Sequence, residues 1–165
     1  MSDYVTVFGS LDDYEKGHIE IINDRPQHYT FSNVFEVANN SAPYEKVAVA
    51  KNLECVIEVL RAEGRSDWFT CAHDEVAVVL DGEVEVHYHK AEDDELVPEG
   101  GEGSRKIEGE PTGPKMGWVK LGRGHQALLP KGSAYQFRAN TLGVIILQTL
   151  HGPLTVEKWA EICLT

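Results

Sequence analysis

Long apolar runs, paired cysteines and clustered basic residues are all missing from this 165-residue chain, and each absence removes a class of function. No stretch approaches the roughly 20 apolar residues that a membrane-spanning helix needs. The opening, MSDYVTVFGSLDDYEKG, has neither the basic start nor the apolar middle of a secretory signal, so a cytoplasmic protein is expected. A formal net charge of -12 opposes binding to a phosphate backbone, and no nucleic acid partner is expected. Cys55, Cys71 and Cys163 are odd in number and widely spaced, which fits free thiols better than a disulfide framework or a CxxC clip. Nucleophile-elbow and phosphate-loop motifs are absent; GGEG at 100–103 sits among acidic residues that would repel an anion.

What is present is strand signal. A length of 165 residues suits a single domain, 1–165. Stretches rich in β-branched residues run from Val47 to Leu60, Glu75 to Leu80, Glu83 to His89, Trp118 to Leu121, Gln126 to Leu129, Tyr135 to Arg138 and Gly143 to Leu150. Turn signals at Asp81-Gly82, 122–124, 130–132 and 140–143 separate them, which predicts an all-β sandwich or barrel. Residues 91–117 are acidic, rich in Gly and Pro, and without periodicity; they read as a long exposed loop, either a solvated insertion or an interaction element. At 155–164, Val156, Trp159, Ala160 and Cys163 fall at helical spacing behind Pro153 and Thr155, predicting a short C-terminal helix. The N-terminal extension, 1–46, scatters Tyr4, Phe8, Tyr14, Tyr29, Phe31, Phe35 and Tyr44 among polar residues, as anchors to the barrel or to a partner.

Two stretches carry a recognisable spacing. GRSDWFTCAHDEVAVVLDG places Gly64, Glu75 and Gly82 at the fixed points of one motif, and GHQALLPKGSAY places Gly124, Pro130 and Gly132 at those of a second. These motifs resemble the pair that defines the cupins, so the resemblance implies an all-β, double-stranded β-barrel of jelly-roll type. In cupins, histidines within the motifs and the glutamate hold a metal. Here the histidine positions fall on Phe69, Cys71 and Tyr135, and Glu75 alone is an ordinary ligand type. A non-haem site wants about three imidazole or carboxylate donors, so no metal is expected in this chain.

Other histidines offer little. His73 shares a strand face with Glu75 if the segment is extended, as a hydrogen-bonded pair or as part of an unusual Cys71, His73, Glu75 ligand set. His87 and His89 form an HxH, yet alternation puts them with Glu83 and Glu85, opposite Val84, Val86 and Tyr88, toward solvent. His18, His28, His125 and His151 have no partners at ligand spacing.

Longer phrases narrow the resemblance: KVAVAKNLECVIEVLRAEG, CAHDEVAVVLDGEVEV, RGHQALLPKGSAYQFRA and VEKWAEICLT are similar to the small subunit of two-component hydroquinone 1,2-dioxygenases. That resemblance implies a subunit without catalytic residues or cofactor of its own. Its larger cupin partner would carry Fe(II), in an assembly of two small and two large subunits that opens hydroquinone to 4-hydroxymuconic semialdehyde. Trp68, His73, Glu75 and Tyr135 are then the candidates to approach an aromatic substrate near the interface, against core packing as the plainer role. A free-standing cupin enzyme with an atypical metal site, and a non-catalytic small-molecule-binding cupin, remain open on the residues alone.

Overall fold

Ten strands and one short helix make up the described residues, 9–14 and 33–158 of the computed structural model. The run 47–60 divides into β1 (Lys46–Asn52) and β2 (Cys55–Arg65). Asn52 pairs with Cys55, which leaves Leu53 and Glu54 as a tight hairpin turn, and Leu53 accordingly adopts a φ of 56°. The chain continues through β3 (Trp68–Cys71), β4 (Glu75–Asp81), β5 (Val84–Lys90), β6 (Ser104–Ile107), β7 (Lys115–Leu121) and β8 (Gln126–Leu129). It then enters β9 (Ser133–Leu150) and ends in β10 (Thr155–Val156).

β9 organises the barrel. Its first half pairs with β5, from Ser133 opposite Lys90 to Arg138 opposite Glu85, and meets β3 at Tyr135 opposite Phe69. Its second half lies between β2 and β4, with Ile146 opposite both Val59 and Val78. The turn expected at 140–143 is absent: the strand runs through it, and a register shift between Ala62 and Gly64 of β2 absorbs the bend. One strand thereby joins both sheets of a double-stranded β-barrel, the fold expected from the motifs.

Alternation sorts the side chains into two cores. Leu60, Phe69, Val79, Val86, Phe137 and Leu147 fill the barrel, while Val47, Val49, Val59 and Val144 project outward. Helix α1 (Val34–Asn39) covers that outer face with Phe35, Val37 and Ala38; Asn33 caps it by accepting the Phe35 N–H at 2.9 Å. The motif glycines Gly64, Gly82, Gly124 and Gly132 all take positive φ. At Gly82 a Cβ would also lie 2.8 Å from the Gly143 Cα, so the turn and the close strand approach both require glycine.

Two further expectations are corrected. Residues 91–117 are not a plain exposed loop: they contain β6, paired residue for residue with β3, and they begin β7. The pairing edge of β3 captures this stretch despite its composition. Thr155 and Val156, expected to start a helix, instead pair in parallel with Lys46 and Val47 of β1, whose open edge favours β-branched residues in strand form. The rest of the expected helix, from Trp159 onward, lies outside the described residues, as do His18, His28 and most of 1–32.

Candidate functional site

The motif positions converge inside the barrel, around a residue the motifs do not include. Glu75 opens β4 with its carboxylate fully buried. Tyr135, facing Phe69 across the β3–β9 pair, donates its hydroxyl to Glu75 Oε2 at 2.5 Å. Ser104, opposite Cys71 on β6, donates to Glu75 Oε1 at 2.8 Å. Both hydroxyls in turn accept from the Lys46 ammonium, at 2.6 Å for Ser104 and 3.1 Å for Tyr135. Lys46 is only 3% exposed, and its Nζ stands 3.8 Å from Glu75 Oε1 and 4.8 Å from the centre of the Phe69 ring. A buried charge of this kind persists only when paired and hydrogen-bonded, and Lys46 and Glu75 are both.

The electrostatics follow from this pairing. Burial alone would raise the Glu75 carboxyl, but Lys46 and the hydroxyls of Tyr135, Thr149 and Ser104 outweigh it and hold the group below its ordinary value. Burial, reinforced by Glu75, pushes the Tyr135 phenol well above its ordinary range, so it remains a proton donor. Burial and then Glu75 push the Cys71 thiol up to about 11. Glu58, on the same interior face of β2, is raised to about 7 by burial, against Lys46 and a hydrogen bond from Thr155.

Cys71, His73 and Glu75 bring their ligand-type atoms within 4.8 Å of one another. Their chemistry nonetheless fits Fe(II) poorly. The Leu150 N–H donates to His73 Nε2 at 3.0 Å, which occupies that lone pair and leaves the ring proton on Nδ1, 3.3 Å from Cys71 Sγ. Cys71 keeps its proton and donates it to the Gly103 carbonyl at 3.2 Å. Both Glu75 oxygens already accept hydroxyl protons, Phe69 has no donor atom, and a positive charge stands beside the set.

Of the residues expected near a substrate, His73, Glu75 and Tyr135 come together, whereas Trp68 does not join them. It is on the other face of β3, buried with Ala91, Ile107 and Ala134, and its indole N–H donates to Glu110 at 2.9 Å. Glu75 and Tyr135 are sealed from solvent, so a substrate could reach them only if the barrel opened. His87 and His89 are held separately, His87 by Glu85 at 2.8 Å and His89 by the Gly113 carbonyl at 2.9 Å. At the gap between β7 and β8, Met116, Trp118, Val119 and Leu128 are large, apolar and exposed, and they line a groove of about 490 Å³ that reaches Leu121 and Tyr88 at the edge of the barrel core.

Lys46 and Ser104 escaped the sequence reading. One signal was available: in Lys46-Val47-Ala48-Val49-Ala50 the valines mark one face, which leaves Lys46 and Ala48 facing the interior.

Neither the family models nor the curated proteins compared gave a match. Solved structures did. The chain is 56% identical to a chain of hydroquinone 1,2-dioxygenase PnpCD in complex with Cd2+ and 4-hydroxybenzonitrile, over 100% of this chain and 99% of that one, with a TM-score of 0.90. It is 55% identical to a chain of hydroquinone 1,2-dioxygenase from Sphingomonas sp. TTNP3 with 4-hydroxybenzoate bound, over 99% of each, with a TM-score of 0.92. A longer chain, from PnpCD in complex with Fe3+, shares the fold at 8% identity and a TM-score of 0.64, over 93% of this chain and 43% of that one. Identity above one half, sustained from end to end, places this chain in the hydroquinone 1,2-dioxygenase family.

Proposed function

We propose that this chain is the small, metal-free cupin subunit of a heteromeric, cytoplasmic Fe(II) dioxygenase that converts hydroquinone to 4-hydroxymuconic semialdehyde. The iron belongs to a larger cupin partner, in an assembly of two small and two large subunits. The observation that carries this reading is the ammonium of Lys46 inside the barrel, where Glu75 is already neutralised and the remaining motif positions lack a free donor. Two further findings support it. A longer chain of similar fold exists in PnpCD, and the exposed groove on β7 and β8 has the apolar character of an interaction surface.

In this role the subunit takes no part in oxygen chemistry. It contributes a rigid wall and excludes water, so that charges developing in the partner's site are stabilised by fixed groups. Among the described residues no helix is long and apolar enough to cross a membrane.

The test is co-expression with a candidate large subunit, separation of the two chains and metal analysis of each. Iron should follow the large chain, and ring cleavage should require both. Stoichiometric iron on this chain alone, with full activity, would refute the proposal and favour the second reading: a free-standing enzyme using Cys71, His73 and Glu75, whose ligand atoms lie close enough together to suggest it.

A further inference from the structure

We infer that Lys46 is the barrel's resident cation: its ammonium occupies the place toward which the four motif positions converge, and its presence keeps a metal out. This rests on the metal-free reading above and supplies a physical cause for it.

All four positions at which the motifs expect ligands face or sense this one group. Phe69 presents its ring 4.8 Å away, Tyr135 accepts a hydrogen bond at 3.1 Å, and Glu75 is 3.8 Å distant. Cys71 feels the charge of Lys46. The replacements suit an ammonium as imidazoles would suit a metal. An ammonium has three protons to place and no lone pair to accept with. Two go to hydroxyl oxygens, which stay free to donate onward to the carboxylate, and an aromatic face stabilises the charge electrostatically. Charge balance points the same way. Lys46 matches Glu75, and burial favours the protonated form of Glu58, the other carboxylate that senses them, so a dication added to this closed space would meet the repulsion of the ammonium.

Removing Lys46 should reverse the situation. Glu75 would become an unpaired buried carboxylate beside a thiol and an imidazole, within 4.8 Å of both. A sulfur, nitrogen and oxygen set of that size suits Zn2+ or Co2+; a bound metal would deprotonate the thiol and take the His73 Nδ1 lone pair, with the ring proton moved to Nε2, where the Thr149 hydroxyl lies 3.1 Å away to accept it in place of the Leu150 contact.

The experiment titrates Co2+ into the full-length chain as wild type, K46A, K46A/C71S and K46A/E75Q, reading thiolate-to-cobalt charge-transfer absorption and thermal unfolding. K46A should bind Co2+ at least about tenfold more tightly than wild type, with a charge-transfer band and a rise in Tm. K46A/C71S should lose the band, and K46A/E75Q should fold without binding. A folded K46A that binds no better than wild type overturns the inference and leaves the proposed function standing. A K46A chain that stays unfolded with Co2+ present also overturns it, because the metal has then not replaced the ammonium. A wild-type chain that shows the Cys71-dependent band overturns the metal-free reading itself.

Discussion

Glu58 makes the chain's stability depend on pH around neutrality, and Glu58→Gln should remove that dependence. The side chain is 1% exposed; Oε1 accepts from the Thr155 hydroxyl at 2.6 Å, and Oε2 is buried with no hydrogen-bond partner among the described residues. Burial raises the carboxyl from 4.5 to about 7, Glu75 adds to the rise, and Lys46 and Thr155 oppose it. The folded value lies above the unfolded one, so the folded state holds this proton more tightly. The resulting stability is fully present below about pH 4.5 and is lost as pH rises through about 7. At about 1.4 kcal/mol per pH unit, the displacement amounts to about 3 kcal/mol between those limits. Glutamine keeps an oxygen for Thr155 and never ionises. Urea unfolding of wild type and Glu58→Gln across this range should therefore give two curves that coincide in acid and diverge on the alkaline side, with the variant more stable by about 3 kcal/mol. Curves that stay parallel across the range would show that Glu58 is not the titrating group.

Leu53→Asn should stabilise the chain by about 1 kcal/mol in the same assay, because a fully solvated leucine at positive φ gives way to a residue that tolerates it. Gly103→Ala should cost more than about 2 kcal/mol: its φ is 68° and the added Cβ would sit 2.5 Å from the Gly152 Cα, beside the carbonyl that receives the Cys71 thiol. Trp118→Asp, in the exposed groove, should cost about 1 kcal/mol of stability through its lost stack on His87 and poor strand propensity, while weakening co-purification with the proposed large subunit by at least about tenfold, since apolar anchors carry most interface energy. Equal co-purification would remove this groove from the partner interface.

Local rules made much of the barrel legible in advance. Gly82 and Gly132 stand where backbone sterics demand glycine, and Val84, Val86 and Tyr88 alternate inward as their spacing implies. Boundaries were harder. The hairpin at Leu53 carries no Gly or Asn-Gly signal, and Asn140 looks like a turn because its neighbourhood is exposed although the strand continues. The site was half visible: Phe69, Cys71, Glu75 and Tyr135 follow from motif spacing. Lys46 and Ser104 do not, because what holds a buried lysine is supplied by residues 58 and 89 positions away, which no local pattern encodes. Ser104 was further hidden in a segment whose composition signals an exposed loop and whose strand forms by pairing with β3.

The 18 residues of β9 come later in the chain than every strand they pair with: β2, β3, β4 and β5. On the ribosome those strands emerge without the ladder that joins them, so their apolar faces must wait until β9 itself has cleared the exit tunnel. Closure is then a single late, long-range event, slow by its topology and exposed to aggregation until it happens. For a subunit proposed to work only within an assembly, the interval between synthesis and closure is when a chaperone has most to offer.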